Sequence, residues 1–257
     1  MSHADWNPGA YGLFQDLRLR PAYDLLSRIG ALPDGDIYDL GCGNGAAGTA
    51  LAGLFDRHRL IGVDRSPAML AAARETGAYD ALCETDIANW HAAVPAAMIF
   101  SNAVLHWLPD HAALLPRLAG MLAPGGSLAV QMPRQWGAPS HRFLRDIAVS
   151  LFPGRFEGPI HRPVKSAVHY WTILAPLCAV SVWETDYVQR LDPVEKGHPV
   201  RVFTQSTAMR PILEKLNDAE TDSFLSAYDA ALGAAYPLLP DGATLMPFRR
   251  VFITLTV

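Results

Sequence analysis

Short apolar runs alternate with helical patterns along the first half of the chain. The runs have the length and side-chain types of buried strands, and they are predicted at residues 37–40, 59–63, 79–83, 96–100 and 127–132. Between them, apolar residues at helical spacing predict helices at 45–54, 66–76 and 110–122. Ser66 is expected to cap the second helix, with Pro67 in its first turn. Strands that alternate with helices indicate a parallel sheet with right-handed crossovers.

The pattern is less regular outside this region. Helical spacing is predicted at 10–29 with a break or kink near Pro21, and further helices at 139–151, 206–216 and 219–236. Possible strands follow at 180–189 and 250–257. We therefore expect a Rossmann-like, doubly wound α/β fold, with a mostly parallel seven-stranded sheet, a late antiparallel strand and a helical lid. Residues 1–132 would form the N-terminal segment and the cofactor-binding core. Residues 133–257 would form the helical lid, at about 133–180 and 192–240, and the last strands of the sheet, at about 181–190 and 249–257.

Composition excludes several classes of protein. The chain has 257 residues, is 50% hydrophobic and carries a formal net charge of −4, so nucleic acid is not an expected partner. Neither a membrane-spanning segment nor a secretion signal is expected from the apolar pattern. The three cysteines lack metal or disulfide spacing, and no metal site is expected. We expect a cytoplasmic monomer or weak dimer that acts on a small molecule.

Two glycine patterns overlap after the first strand. Residues 43–48 fit G-x-G-x-x-G, the dinucleotide fingerprint. Residues 39–45 instead read as an acid followed by G-x-G-x-G. The first pattern indicates a pyrophosphate at a helix N-terminus, whereas the second suits a cofactor without phosphate.

Carboxylates near successive strand ends favour the second pattern. Asp39, Asp64 and Asp86 would face one crevice, where they would repel a pyrophosphate and suit the cation, amine and hydroxyls of S-adenosylmethionine. Asp64 can accept from the ribose hydroxyls and Asp86 from the adenine amino group, with Met69 and Ile87 over the ring faces. Structural roles remain open for two acids, since Asp39 could cap a helix and Asp86 could start a turn. A nicotinamide oxidoreductase is the weaker reading.

Segments along nearly the whole chain resemble the trans-aconitate 2-methyltransferase family. The N-terminal and C-terminal segments are the more specific, and the middle ones are shared with class I methyltransferases at large. These segments are residues 5–26, 38–45, 61–70, 101–111, 114–133, 139–148, 198–216, 224–242 and 245–253.

The resemblance implies a methyltransferase that esterifies one carboxylate of a tricarboxylic acid and releases S-adenosylhomocysteine. It implies that Trp6, Tyr11, Phe14 and Arg20 close over the cofactor, although Arg20 could instead lie on a solvated helix face. The full expected cofactor set is Tyr11, Arg20, Asp39, Gly41, Cys42, Gly43, Asn44, Gly45, Asp64, Arg65, Met69, Asp86, Ile87, Asn102 and Trp107. The expected acceptor-binding residues are Trp6, His106 and Arg210.

No general base is expected, because a carboxylate acceptor is already ionised at neutral pH. His106 could orient that carboxylate or cap a loop, and Trp107 is expected to pack the floor of the pocket. Arg210 is the preferred lid cation; solvated roles are favoured for Arg142, Arg162, Lys165 and Arg201.

The chain also departs from the family pattern. The family usually has proline at the position of Asn44, and residues 202–211 differ from its lid motif. The lid change leaves the acceptor open, with a malonyl thioester or a secondary metabolite as alternatives. An inactive cofactor-binding protein is a more distant possibility.

Overall fold

The computed structural model describes residues 15–156, 164–205 and 207–257, with side chains from Leu19 onward. It divides into two compact units. The first contains the described residues up to Pro133 together with Lys165–Glu184 and Val251–Val257. The second contains the described parts of Arg134–Val164 and Thr185–Arg250.

A seven-stranded sheet in the order β3-β2-β1-β4-β5-β7-β6 organises the fold. Its strands are β1 Ile37–Leu40, β2 Leu60–Asp64, β3 Ala81–Glu84, β4 Ala96–Asn102, β5 Leu122–Pro133, β6 Ala179–Leu191 and β7 Thr244–Thr256. Neighbouring strands from β3 through β5 pair in parallel. The central strand β4 is buried along nearly its whole length, as expected for a parallel strand covered on both faces.

Strand β7 runs antiparallel to β5. Backbone hydrogen bonds join Gly125 and Gly126, early in β5, to Val257 beyond the end of β7, whereas Arg134, just past β5, bonds to Arg249 nearer the start of β7. The predicted α/β fold with one late antiparallel strand is therefore confirmed. Both late strands are longer than the sequence pattern indicated, since β6 and β7 each contain 13 residues.

Helices of the first unit are α1 Gln15–Leu26, α2 Gly48–Leu54, α3 Pro67–Glu75, α4 His111–Ala119 and, later in the chain, Ala167–Leu174. Of the break or kink predicted near Pro21, the break is absent, because α1 continues through that residue. Its buried residues Ala22, Leu25 and Leu26 belong to a helix that packs against β5. This burial offsets the backbone hydrogen bond that proline removes. The helix at 167–174 had no clear sequence period.

The first-unit helix at 167–174 is α6 in chain order. The second unit contains α5 Pro139–Leu151, α7 Pro199–Gln205, α8 Arg210–Leu213 and α9 Asp218–Ala235. Helix α9 begins with a capping box formed by Asn217 and Glu220, and it packs against α5. A helix was expected at 206–216, where the described residues form only the short α8; α7, which precedes that range, was not predicted. The β-branched residues of α7 disfavour a helix locally, and burial of Val200 and Phe203 overrides that preference.

Candidate functional site

The carboxyl ends of β1 to β4 lie at one edge of the parallel sheet, where open α/β sheets bind ligands. This edge carries the predicted polar residues Asp39 in β1, Asp64 at the end of β2, Asp86 shortly after β3 and Asn102 at the end of β4. The hydroxyl of Ser101 donates to the carbonyl of Leu40 at 2.9 Å, which ties the ends of β4 and β1 together.

The loop after β1 requires glycine at three alternate positions. Gly41, Gly43 and Gly45 have φ values of 74°, 55° and 82°, which glycine adopts without steric cost. A Cβ at Gly41 would overlap the side chain of Val104. A Cβ at Gly43 would meet no atom within 4 Å, so the loop faces open space there.

Tyr79 packs behind this loop and was missed by sequence reasoning. A Cβ at Gly48 would lie 2.6 Å from its ring, and Cβ atoms at Gly45 and Gly62 would lie 3.2 and 3.0 Å from it. Glycine at 45, 48 and 62 therefore leaves room for the Tyr79 ring. No sequence motif marks Tyr79, because it lies in the connection before β3.

Asp39 is buried, with 2% of its surface exposed. Its Oδ2 accepts a hydrogen bond from the Tyr79 hydroxyl at 2.8 Å. Burial, with a smaller contribution from the charge of Asp64, raises the pKa of Asp39 to about 7, and the Tyr79 hydrogen bond opposes this increase. The alternative that Asp39 caps a helix is wrong, since Ala47 occupies the N-cap of α2.

Asp64 connects two backbone segments through its carboxylate. Oδ2 accepts from the N–H of Gly43 and Oδ1 from the N–H of Ser66, both at 2.9 Å. Each oxygen keeps a further lone pair for a ligand hydroxyl. Ser66 caps α3 as expected, through its contact with the N–H of Met69.

Asp86 forms a local turn and also remains accessible. Its Oδ1 accepts from the N–H of Ala88 at 2.8 Å, as the structural alternative expected. The adjacent Ile87 is 7% exposed, and Arg117 donates to its carbonyl at 3.0 Å. Met69 is also buried. The chain thus places two apolar side chains and one carboxylate near the ends of β2 and β3.

The segment after β4 combines backbone strain with polar side chains. Asn102 has a buried Oδ1 without a hydrogen-bond partner among the described residues. Ala103 has a φ of 57°, a conformation that is uncommon without glycine and is concentrated at functional sites. His106 and Trp107 follow in a short 3-10 helix, with ring centroids 4.7 Å apart. Trp107 is 48% exposed.

A partly buried hydrogen-bond chain supports this turn. His111 Nε2 lies 2.9 Å from the carbonyl of Leu105, and its Nδ1 lies 2.6 Å from the hydroxyl of Tyr170. Tyr170 is fully buried and also accepts from the N–H of Lys165. Sequence reasoning missed this pair because its members lie 59 residues apart.

The remaining predicted site residues differ in their surroundings. Burial raises the pKa of the Cys42 thiol. Asn44 is partly buried, and Arg20, Arg65 and Arg210 are exposed. Trp6, Tyr11, Phe14 and Arg162 lie outside the described residues.

Within the described ranges, no cluster of three or more His, Cys, Asp or Glu residues could hold a metal ion. No helix there is long and apolar enough to cross a membrane.

Comparison of the sequence and fold with known proteins first identifies the class of enzyme fold. Residues 37–126 match a family model described as a methyltransferase domain. The fold is similar to a putative methyltransferase from Bacillus halodurans, with a TM-score of 0.55 and 11% identity over 91% of this chain and 97% of the other. The YcgJ protein from Bacillus subtilis gives a TM-score of 0.53 and 14% identity over 97% and 98%. These likenesses establish the fold of class I methyltransferases.

Curated relatives define the family. A trans-aconitate 2-methyltransferase from Methylobacterium radiotolerans is 41% identical over 97% of each chain. One from Klebsiella pneumoniae is 38% identical, again over 97% of each chain. The chain belongs to the trans-aconitate 2-methyltransferase family. The sequence-based prediction of an S-adenosylmethionine-dependent methyltransferase is confirmed.

Proposed function

We propose that this methyltransferase esterifies a carboxylate of a small polycarboxylic acid, with trans-aconitate as the acceptor. The observation that carries the proposal is full-length similarity to several proteins that share one substrate-specific name, at 37–41% identity. The altered motif at residues 202–211 favours a second candidate, a related enzyme that methylates another small acid.

The strand-end residues fit S-adenosylmethionine. The open space in front of Gly43 lets a ligand approach the backbone without meeting a side chain. The buried Oδ1 of Asn102 has no partner in the described part of the chain, so a ligand donor would satisfy it. Burial raises the pKa of Asp39, so a cation bound beside this carboxylate would stabilise its ionised form.

Each residue that would bind S-adenosylmethionine has a distinct role. Asp39 would accept from the ammonium of the methionine part, and Asp64 from the ribose hydroxyls through its remaining lone pairs. Asp86 would accept from the adenine amino group, with Met69 and Ile87 against the ring. Asn102 would accept a donor of the methionine part.

The chemistry that S-adenosylmethionine supplies when bound is a methyl group on a sulfonium, transferred by displacement to an acceptor oxygen. A carboxylic acid with a pKa near 4 is ionised at pH 7, so the chain needs no side chain to remove a proton. Its task is to align the acceptor oxygen and to exclude water, which can contribute about 7–11 kcal/mol in favourable cases. His106, on the strained turn after β4, would orient the acceptor carboxylate.

The experiment is a methyl-transfer assay with a panel of acids. Purified protein would be incubated with labelled S-adenosylmethionine and each of several di- and tricarboxylates, and products would be identified by mass. The proposal expects the highest kcat/KM for trans-aconitate and a monomethyl product. A higher kcat/KM for another acid would support the second candidate instead. Tight binding of S-adenosylhomocysteine without transfer to any acid would overturn both.

A further inference from the structure

The turn after β3 carries Asp86 and Ile87, the residues assigned above to the adenine of the cofactor. The N–H of Asn89 donates to the carbonyl of Asp86 at 3.0 Å, and the N–H of Trp90 donates to the carbonyl of Ile87 at 3.3 Å. Strand β3 contains four residues and lies at the edge of the sheet. Strand pairing therefore supports this turn from one side only.

Arg117, in the last turn of α4, supports the turn from another side. Its Nη1 donates to the carbonyl of Trp90 at 2.6 Å, and its Nη2 donates to the carbonyl of Ile87 at 3.0 Å. The guanidinium is planar and rigid, so two donors on one group hold the two carbonyls in a fixed relation. Hydrogen bonds from a charged donor are also stronger than those between neutral groups.

Both partners of this contact are anchored in the core of the first unit. On α4, Leu115 and Leu118 are fully buried, and the helix packs against β5. On the turn, the buried ring of Trp90 packs edge-on against Tyr38, with ring centroids 5.0 Å apart. Arg117 therefore connects the turn to a helix that is itself fixed on the sheet.

One peptide group connects Arg117 to the carboxylate of Asp86. The carbonyl of Ile87 and the N–H of Ala88 belong to the same planar peptide and point in opposite directions. Arg117 donates to the carbonyl, and Oδ1 of Asp86 accepts from the N–H at 2.8 Å. A cation at one end and an anion at the other polarise this peptide, which strengthens both hydrogen bonds. The position of the carbonyl therefore sets the position of the carboxylate.

The other oxygen of Asp86 is left for a ligand. Oδ2 accepts no hydrogen bond from the described part of the chain, and each carboxylate oxygen has two lone pairs. Asp86 is only partly buried, so packing alone does not fix its rotamer. The peptide that Arg117 holds supplies the missing constraint.

We propose that Arg117 is a positioning residue for adenine recognition: acting through the peptide between Ile87 and Ala88, it orients the carboxylate of Asp86 toward the adenine amino group. The inference rests on the proposed function, which assigns Asp86 to the adenine. In this role Arg117 does not contact the cofactor. Sequence reasoning did not single out Arg117, because its partners are backbone carbonyls 27 and 30 residues earlier.

The test compares two ligands that differ only at the adenine amino group. One is S-adenosylhomocysteine, and the other is its 6-desamino analogue, which carries hydrogen in place of that group. Both would be titrated by calorimetry into the full chain as wild type, Arg117→Met and Arg117→Lys. Wild type is expected to bind S-adenosylhomocysteine about 10- to 100-fold more tightly than the analogue, as for a hydrogen bond to a charged acceptor.

The two substitutions of Arg117 should reduce this preference. Arg117→Met keeps an unbranched side chain and the helix propensity but removes both donors. We expect it to reduce the preference about 5- to 10-fold, because the Kd for S-adenosylhomocysteine rises while that for the analogue changes little. Arg117→Lys keeps the charge without the planar pair of donors, so its preference should fall between. If Arg117→Met does not fold, Arg117→Lys carries the same comparison.

A double variant tests whether Arg117 acts through Asp86. Asp86→Asn removes the charged acceptor, so it should lose the preference for S-adenosylhomocysteine by itself. Adding Arg117→Met should then reduce the preference no further, because the side chain that Arg117 orients no longer discriminates. Fully additive losses in the double variant would show that Arg117 acts by another route and would overturn the proposal.

Arg59→Met is the matched control. Arg59 lies just before β2, at the opposite edge of the sheet, and its Nη1 is 3.9 Å from Asp36. This substitution should leave both Kd values unchanged. Thermal unfolding of each variant measures its stability. If Arg117 only stabilises the fold, Arg117→Met will weaken both ligands by the same factor, and the proposal is wrong.

The binding test needs no methyl acceptor, so its outcome is separate from the proposed esterification. Equal binding of both ligands by wild type would overturn the adenine role of Asp86 and that of Arg117, whichever acid is methylated. A wild-type preference that Arg117→Met retains would overturn the role of Arg117 alone. A preference lost in Arg117→Met, in a protein that methylates no acid, would support the role of Arg117 and contradict the esterification.

Discussion

The hydroxyl of Tyr79 donates a 2.8 Å hydrogen bond to the buried carboxylate of Asp39, 40 residues earlier in the chain. The same tyrosine ring lies against the glycine loop that follows β1. One side chain thus supports both the acid and the backbone that we propose to hold the cofactor. Because Tyr79 engages Oδ2, Oδ1 of Asp39 remains for a ligand.

Tyr79→Phe keeps the ring and removes only the hydroxyl. We expect the Kd for S-adenosylhomocysteine at pH 7 to rise about 10-fold, because the pKa of Asp39 rises further when the donor is lost. The defect should shrink toward pH 8.5, where Asp39 ionises without help. Calorimetric titrations between pH 6.5 and 8.5 measure both effects. Tyr38→Phe is the control, since Tyr38 packs edge-on against Trp90; a defect of the same size at every pH would contradict the role of Tyr79.

Asp39→Asn tests the electrostatic cost of the buried carboxylate. The pKa of Asp39 is about 7 in the folded chain against an ordinary value of 3.8, so the folded state binds more protons between these values. Stability from this group is therefore present below pH 4 and lost as the pH rises through 7, by at most about 4 kcal/mol. At pH 8 the variant should be more stable than wild type, yet bind cofactor more weakly.

Denaturant unfolding at pH 5 and pH 8 checks the prediction for Asp39. His141 acts in the opposite direction, because its pKa of about 4 lies below the ordinary 6.5, and its contribution is lost as the pH falls from 6.5 to 4. Comparing variant with wild type at each pH cancels the His141 contribution. Equal changes in stability at both pH values would show that Asp39 is not the titrating group.

Gly43→Ala and Gly48→Ala separate ligand space from protein packing. A Cβ at Gly43 meets no protein atom within 4 Å, whereas one at Gly48 would lie 2.6 Å from the Tyr79 ring. Gly43→Ala should cost about 1 kcal/mol of stability through its positive φ and weaken cofactor binding more than tenfold. Gly48→Ala should mainly destabilise the fold, by about 1–3 kcal/mol. Thermal unfolding and cofactor titration of both variants provide the comparison, and tight cofactor binding by Gly43→Ala would exclude the proposed approach.

Asp64→Ala is expected to weaken cofactor binding at least about 100-fold, because two ribose hydroxyls lose a charged acceptor. It should also lower the free energy of unfolding by about 1–3 kcal/mol, since the N–H groups of Gly43 and Ser66 lose theirs. Asp80→Ala is the matched control, as Asp80 accepts from the N–H of Leu60 at the other end of β2. Asp80→Ala should lower the free energy of unfolding as Asp64→Ala does, but it should keep the wild-type affinity for the cofactor. If both variants bind cofactor equally well, the ribose assignment is wrong.

The sequence predicted the parallel half of the sheet well because buried strands followed by short polar loops have a strong local pattern. Asp39, Asp64, Asp86 and Asn102 were recognisable from their places near strand ends. Helix α7 was missed because its β-branched residues disfavour a helix, and packing decides its conformation. The local propensity rule failed at this helix because burial outweighs propensity.

The supporting residues of the site were beyond sequence reasoning for a different reason. Tyr79 meets Asp39, and Tyr170 meets His111, across 40 and 59 residues. Such roles depend on which side chains the fold brings together, and a single sequence holds no signal for that pairing.

The most direct test of the proposed function follows the methyl group itself. Wild-type protein, trans-aconitate and S-adenosylmethionine with a carbon-13 methyl would be observed by nuclear magnetic resonance, followed by mild alkaline hydrolysis. The proposed function expects one new ester methyl signal that hydrolysis converts to labelled methanol, because the methyl lies on a carboxylate oxygen. A methyl signal that resists hydrolysis, or none from trans-aconitate while another acid yields ester, would contradict it.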